Sequence, residues 1–285
     1  MSQPVVQLFF NPAAGRFGRQ AIDDLTSALI ARGARVIPTE SRNGRPGIAD
    51  EATHLCIAGG DGTIRHVAQA MARHDRRLPA AIHPLGTVNL LAREGDWKAS
   101  SRASAQRLLE GEASRRHYAV KLGDELFLAC ASVGPDSQAV AGLSPRLKRR
   151  IGRLAYAAAL IELLWRWPRH RIRLRQDAGE LDCEAVFVAK GRFYAGPWSF
   201  APAARVGDGL LHVVALRRAR RRDYLRFMLA LLLRRDPADG CNAVAFSCTA
   251  LALSSDQPLP VQADGDVVAR LPVDLSIAPD ALEFR

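Results

Sequence analysis

The sequence predicts an α/β domain over residues 1–117, followed by a mostly antiparallel, β-rich domain over 118–285. Three observations carry that prediction. Strand-like and helix-like runs alternate through the first 110 residues or so, which implies a parallel sheet covered by helices. From about Tyr118 short strand-like runs separated by turn residues take over. With 285 residues, and roughly 150 residues to a domain, the chain has room for two ordinary domains.

The elements follow in order. Val5–Phe10 is an apolar run ending at Asn11-Pro12, a buried strand followed by a turn. Ile22, Leu25 and Leu29 recur at helical spacing, and Gly33 follows as a C-cap. Arg35–Pro38 is a second short strand. His54–Ala58 is a third and runs directly into Gly59-Gly60-Asp61-Gly62-Thr63. A helix follows with Ile64, Val67, Ala68 and Met71 on one face, and Thr63 is placed to cap it. Ala80–His83 is a fourth strand, ending at Pro84-Leu85-Gly86-Thr87.

In the second half, Tyr118–Leu122 and Leu126–Ser132 flank Gly123-Asp124-Glu125, a hairpin signal. Ile172 and Leu174 alternate with arginines. Leu181–Ala189, Leu210–Leu216, Ala243–Leu253, Leu259–Ala263 and Val267–Ile277 are further strands. One long helical run, Pro145–Trp167, interrupts them, with Ser144 as N-cap and Pro145 at the first helical position. Trp165 and Trp167 near its end read as packing residues.

With 48% hydrophobic and 24% charged residues, the composition is globular, too apolar for a disordered chain and too mixed for a fibrous one. The formal net charge of +11 is concentrated. Pro145–Arg175 carries ten basic residues against Glu162, and Arg217–Arg235 carries eight against Asp223. Such basic faces suit an anionic partner: a phosphorylated ligand, membrane headgroups or nucleic acid. An ordinary solubilising surface in an arginine-rich chain is the plainer reading. Tyr224, Phe227, Met228, Leu231 and Leu232 sit at helical spacings between arginines, which fits either a helix packed on the β-rich domain or one lying in a membrane interface. Nucleic acid has no recognition motif behind it.

Cys56, Cys130, Cys183, Cys241 and Cys248 are odd in number and contain no C-x-x-C pair, so neither a disulfide framework nor a zinc site is indicated. A reducing cytoplasm fits them. The first ten residues have no basic stretch and read as no signal peptide. Leu154–Ile161 and Phe227–Leu233 are the most apolar later runs, far short of the roughly 20 residues needed to span a bilayer.

Gly59–Thr63, between a strand and a helix, is the sharpest motif. Glycines let backbone N–H groups approach an anion, and the helix N-terminus adds partial positive charge, so the loop suits a phosphate. Asn11-Pro12-Ala13-Ala14-Gly15 and Gly86-Thr87-Val88-Asn89 follow two other strands. All three loops would sit at the carboxyl edge of the sheet, where ligands collect. The chain has no G-x-x-x-x-G-K-[S/T] and no G-x-G-x-x-G in the right context, against a P-loop NTPase or an ordinary dinucleotide fold. His66 and His83 read as polar residues of a helix face and a strand end.

In order and spacing, Asn11–Gly15, Gly59–Thr63 and Pro84–Asn89 resemble the diacylglycerol kinase catalytic superfamily, which includes bacterial YegS-like lipid kinases and sphingosine kinases. Arg149–Tyr156 looks like the family's basic stretch, Ala201–Arg205 with Gly207–Leu211 like its metal segment, and Asp264-Gly265-Asp266 falls where it carries Asp-Gly-Glu. The resemblance implies an N-terminal domain like that of NAD kinases and phosphofructokinases, a C-terminal β-sandwich, and an active site in the cleft between them. The C-terminal end of the chain would complete the N-terminal domain by packing back on it.

It further implies an ATP-dependent lipid kinase using Mg²⁺. Carried over, Asn11, Gly15, Thr39, Gly59, Gly60, Asp61, Gly62, Thr63, Ile64, Arg65, Gly86, Thr87 and Asn89 would bind the nucleotide. Asp61 would act near the Mg²⁺-bound phosphates. A structural Mg²⁺ would use the carboxylate of Asp208 and backbone oxygens of Arg205 and Leu210. Asp266 would be the general base for the lipid hydroxyl. The chain departs from the family at Arg65-His66, which replace Asn-Glu, at Gly207 beside Asp208, and at Asp266, which replaces Glu.

The expected partners are a lipid substrate and an anionic membrane surface, with no nucleic acid, and the expected location is cytoplasmic, peripheral at the inner face of the membrane. The sequence is silent on oligomeric state, a homodimer included. Two other readings stay open: a kinase of NAD or another small alcohol, and a nucleotide- or lipid-binding regulator that has lost catalysis.

Overall fold

Alternating apolar runs and turn residues give 16 strands and six helices among the described residues of a computed structural model, namely 3–41, 46–111, 114–142, 167, 169–237 and 242–285. The expected helix Pro145–Trp167 up to Arg166, with Ser144, Trp165 and the stretch Arg149–Tyr156, lies outside the described residues, as does Cys241. The chain divides into two compact units: Met1–His117 with Asp280–Arg285, and Tyr118–Pro279.

In the first unit, β1 (Val5–Phe10) is flanked by β2 (Arg35–Glu40) and β3 (His54–Gly59), and β3 pairs with β4 (Ala80–Pro84), all parallel. Strands buried on both faces need continuous apolar runs, and β3 and β4 supply them: Leu55–Gly59 and all of β4 are buried. α1 (Arg19–Ile30) turns Ile22, Leu25 and Leu29 onto Val6, Leu8, Cys56 and Ala58. Gly33 takes φ +82° past its end, and the Ala34 N–H closes on Leu29 O at 3.2 Å. This is the left-handed terminator that glycine allows. α2 (Asp61–Arg73) and α3 (Leu90–Glu94) each start at a carboxyl end of the sheet. α4 (Ser101–Glu110) is capped by Ser100 Oγ, which accepts the Ala103 N–H at 3.3 Å. The last residues of β16 (Val273–Phe284) run parallel to β4. Trp97 Nε1 donates to Arg285 O at 2.6 Å, and Phe284 packs edge-on against Trp97 and His117.

The second unit holds two antiparallel sheets. β5 (Arg115–Leu122) turns at Gly123, φ +59°, into β6 (Glu125–Phe127). One sheet has the order β16, β13 (Ala250–Ser255), β8 (Ile172–Gln176), β9 (Gly179–Cys183). The other has β12 (Ala243–Cys248), β11 (Leu211–Leu216), β10 (Ala185–Ala189), β7 (Cys130–Val133), β14 (Pro260–Ala263), β15 (Asp266–Arg270). Alternate residues of both, among them Ile172, Leu174, Val186, Val188, Leu251 and Val261, meet in one core, the arrangement of a β-sandwich. α5 (Pro135–Gly142), for which the sequence carried no expectation, follows β7.

Four expected strands divide. Leu126–Ser132 becomes β6 and β7, Leu181–Ala189 becomes β9 and β10, Ala243–Leu253 becomes β12 and β13, and Val267–Ile277 becomes β15 and β16. All four divide between the sheets. Apolar alternation continues through a sandwich corner, so period alone cannot mark it.

α6 (Arg221–Leu232) settles its apolar residues on two faces. Tyr224, Phe227 and Leu231 are buried, with Phe227 stacked on Phe187 at 4.5 Å. Leu225, Leu229, Leu232 and Leu233 are exposed by 51–53%. Trp167 is buried against Tyr224, and its Nε1 donates to Ala219 O at 2.7 Å, so it is a packing residue. Among the described residues no helix is long and apolar enough to cross a membrane.

Candidate functional site

Parallel strands deliver their following loops to one edge. The loops after β1, β3 and β4 are tied together there. Leu85 donates its N–H to Gly59 O at 2.9 Å, and Arg16 donates its N–H to Leu85 O at 2.9 Å. The approach is close enough to require glycine. A Cβ on Gly15 would lie 2.5 Å from Thr87 Oγ1, and one on Gly86 would lie 2.5 Å from both Gly60 Cα and Asn89 Oδ1.

Each side chain of these loops has a local task. Asn11 Oδ1 accepts the Ala13 N–H at 2.8 Å, a side-chain turn, and its Nδ2 donates to Thr63 Oγ1 at 3.4 Å. Asn89, at φ +55°, accepts the Gly86 N–H and donates back to Gly86 O at 2.9 and 2.8 Å. Thr39, at the end of β2, accepts from Gln7 Nε2 at 3.1 Å.

Thr63 does not cap α2 as the sequence suggested. The helix already begins at Asp61 with extended Gly60 before it, and Thr63 is buried inside the first turn. Asp61 brings a carboxylate to that positive helix end. Its own oxygens accept the N–H groups of Leu91 and Leu90, each at 3.0 Å, and so hold the start of α3. Burial pushes the Asp61 carboxyl above its usual range, and these N–H groups pull against that. Ile64 and Arg65 are 0% and 5% exposed, so neither side chain reaches the surface of the loop. His66 is half-buried on α2, and His83 is buried with Nδ1 3.0 Å from Ser104 Oγ.

In the second unit Asp266 opens β15, just past the tight turn at Asp264 and Gly265, whose φ values are +49° and +89°. The buried carboxylate of that turn is Asp264, which the sequence reading left off its list of site residues. It accepts the N–H groups of Leu128, Ala129 and Cys130 at 2.8, 2.9 and 3.2 Å. A second missed set lies in the same sheet. Ser132 Oγ donates to Asp136, and Gln262 Nε2 donates to Ser132 Oγ at 3.0 Å and to Asp136 at 3.3 Å. Gln262 Oε1 accepts the Gly265 N–H at 2.8 Å. Burial, with the Asp136 charge behind it, raises the neighbouring Tyr194 hydroxyl well above its ordinary range. The signal in the sequence was Ser132-Val133-Gly134-Pro135-Asp136. Gly134 has φ +126°, and its Cβ would meet Ala185 at 3.0 Å.

The third missed residue is Lys190. The chain has four lysines among 40 basic residues, and this one directly follows the fully buried strand β10. Its Nζ donates to Arg205 O at 2.7 Å, Asp208 O at 2.7 Å and Asp208 Oδ1 at 2.9 Å. Leu210 donates its N–H to the same Oδ1 at 3.3 Å, and His212 Nε2 is 3.4 Å from Oδ2. Burial raises the Asp208 carboxyl, but the hydrogen bond and charge of Lys190 outweigh it, and the net direction is downward. Arg205 and Asp208 thus turn three oxygens toward an ammonium, while Leu210 contributes its N–H to the Asp208 carboxylate. Such a set does not suit Mg²⁺, which wants these oxygens for itself at about 2.0–2.1 Å. Among the described residues no group of three or more His, Cys, Asp or Glu gathers as a metal site. A cleft of about 700 Å³ in this unit is lined by Asp124, Glu125, Arg173, Arg175 and Glu180. Apolar residues, Leu122, Leu253, Val268 and Val273 among them, line it too, and none of the candidate site residues does.

Known proteins show the same two-part organisation. Residues 5–120 match the family described as the diacylglycerol kinase catalytic domain, and residues 129–284 match the YegS C-terminal NAD kinase beta sandwich-like domain. The chain is 23% identical over 281 residues to a diacylglycerol kinase of Staphylococcus carnosus (strain TM300), covering 94% of this chain and 90% of that one. It is 36% identical over 167 residues to a Pseudomonas aeruginosa protein named "Probable lipid kinase YegS-like", covering 57% of this chain and about half (54%) of that relative. The crystal structure of a diacylglycerol kinase from Bacillus anthracis str. Sterne shares the fold, with a TM-score of 0.77 at 17% identity over 99% of this chain and 96% of that one.

Proposed function

The chain belongs to the diacylglycerol kinase catalytic superfamily, and from that premise we propose that it is an ATP-dependent lipid kinase acting at the inner face of the membrane. The observation that carries the nucleotide half is the close junction of the loops after β1, β3 and β4, where added Cβ atoms at Gly15 and Gly86 would meet Thr87 and Gly60 at 2.5 Å. The N-terminus of α2 at this junction offers backbone N–H groups and partial positive charge to phosphate oxygens.

In this reading Gly59–Thr63 and Gly86–Thr87 cradle the phosphates, and Thr39 and Asn11 border the nucleotide. Asp61 keeps the α3 loop in register. Mg²⁺ bound with the triphosphate would neutralise charge on the phosphoryl oxygens. The lipid hydroxyl oxygen forms its bond to the γ-phosphorus as the bond from that phosphorus to the β,γ-bridging oxygen breaks, and ADP leaves. Asp266 takes the hydroxyl proton. Asp264 positions that turn by holding residues 128–130.

The lipid half rests on the family and on α6. Its exposed leucines 225, 229, 232 and 233 lie among the exposed arginines 218, 221, 222, 226, 234 and 235. Apolar side chains that can enter the acyl boundary, ringed by cations, suit an anionic membrane surface. The test is to incubate the protein with ATP labelled at the γ-phosphate, Mg²⁺ and anionic vesicles containing diacylglycerol, with NAD as a parallel acceptor. Label extracted with the lipid is the expected result. Label on NAD and none in any lipid overturns the reading.

A further inference from the structure

The oxygens of the 205–210 turn are organised by a residue outside it. The Lys190 side chain is 0% exposed, and its Nζ faces Arg205 O, Asp208 O and Asp208 Oδ1 at 2.7–2.9 Å. An ammonium has three N–H donors and no acceptor, so three oxygens converging from one turn are its natural cage. The anchor is fixed at its root, because the backbone N–H groups of Lys190 and Gly191 both donate to Ala129 O at 2.8 and 2.9 Å. The neighbouring cation does not compete. Arg205 folds its guanidinium back onto Pro202 O and Ala204 O at 2.9 and 2.8 Å.

We propose that Lys190 is the resident cation of this turn, an amino-acid replacement for a divalent metal, so that the second unit holds residues 205–210 without Mg²⁺. Two of the atoms assigned to Mg²⁺ by family resemblance, the Arg205 carbonyl and the Asp208 carboxylate, are the atoms the ammonium occupies. A divalent ion added to the same oxygens would sit against a like charge that has no exposure to water, where repulsion is poorly screened. Buried charges persist when paired and hydrogen-bonded, and here one covalently tethered charge meets that condition permanently. The need for divalent metal is thereby reduced to whatever accompanies the nucleotide. The inference does not depend on the kinase reading, since it concerns metal binding and stability with no substrate present.

The test uses the whole chain free of nucleotide. Wild type is expected to melt at the same temperature in excess EDTA and in excess Mg²⁺, and to take up no Mn²⁺ that Asp208→Asn removes, as read by electron paramagnetic resonance of free Mn²⁺. Lys190→Asn uncovers the oxygens. It is expected to melt several degrees lower in EDTA, because one partner of a buried pair is gone, and to regain most of the loss with Mg²⁺. A wild-type protein that binds one Mn²⁺ abolished by Asp208→Asn overturns the proposal, and so does a Lys190→Asn protein whose melting ignores Mg²⁺. If Lys190→Asn does not fold, the wild-type measurements decide alone.

Discussion

Asp264 Oδ1 accepts the backbone N–H of Ala129 across 135 residues of sequence, at 2.9 Å. Leu128 and Cys130 donate to the same carboxylate, and all four residues are buried. Replacing Asp264 by Ala leaves three buried N–H groups without this acceptor and is expected to cost about 3 kcal/mol, at the upper end for a hydrogen bond to a charged group. Asp264→Asn keeps one oxygen and should fall between. Gly would relieve the φ of +49° but supplies no acceptor, so Asp264→Gly should be destabilised almost as much as Asp264→Ala. Denaturant midpoints compare the three. A silent glycine variant would mean that the turn, and not the carboxylate, is what matters.

Gly86 has no room for a methyl group, whereas a Cβ on Gly18 would meet nothing within 4 Å. Gly86→Ala must push the α3 loop away from Gly60. It should weaken ATP binding by about tenfold or more, a matter of about 1.4 kcal/mol. Gly18→Ala serves as the control and should bind as wild type does. Titration with a fluorescent ATP analogue reads both, and equal affinities would count against these loops as the nucleotide site.

Two histidines of the first unit resist protonation. Burial lowers the pKa of His83, and burial followed by the charge of Arg285 lowers that of His54. Unfolded, each takes a proton near its ordinary pKa of about 6.5. Folded, each takes it only at lower pH. Below that ordinary value the unfolded chain therefore binds more protons, and stability falls as the pH drops, until the folded pKa values are passed. Above it these groups contribute no slope. His83→Asn removes one titration and should flatten the decline. Melting temperatures from about pH 7.5 to about pH 5 show whether wild type has the slope and the variant less of it.

What was legible in the sequence was local. The loops at Gly59–Thr63 and Gly86–Asn89 announce themselves because the close approach of their backbones demands glycine at Gly60 and Gly86. Ala80–His83 came within one residue of β4 because a buried parallel strand is an unbroken apolar run, and Arg35–Pro38 came within two residues of β2, an edge strand with no buried residue. The sandwich corners were not legible. At Glu184 the chain leaves one sheet for the other while the apolar pattern continues. What holds the corner is remote: the Glu184 carboxylate accepts the Ala219 N–H and pairs with Arg169. Lys190, Asp264 and Gln262 were missed for a related reason. Asp264 and Gln262 meet partners 126 or more residues away across the sheet, and Lys190 meets its own at 15 and 18. Each looks in isolation like an ordinary polar residue at a strand end.

The two faces of α6 separate a membrane role from a packing role. Phe227 is 0% exposed and stacked on Phe187, so Phe227→Ala should destabilise the second unit by about 3 kcal/mol or more. Leu229 and Leu232 are more than half exposed. Changing both to Glu removes no packed side chain and should leave the melting temperature nearly unchanged, since surface substitutions fall within about 0.5 kcal/mol each. If the exposed face enters the lipid boundary, the same pair should abolish sedimentation with anionic vesicles, because two buried apolar side chains become charged in a negatively charged interface. Removing the charges of Arg218, Arg221 and Arg222 should weaken that binding at low salt and make it less dependent on salt, since screening acts only on the electrostatic part. A doubly substituted protein that still sediments with vesicles would assign the exposed leucines no part in membrane contact, and the arginines alone would have to account for it.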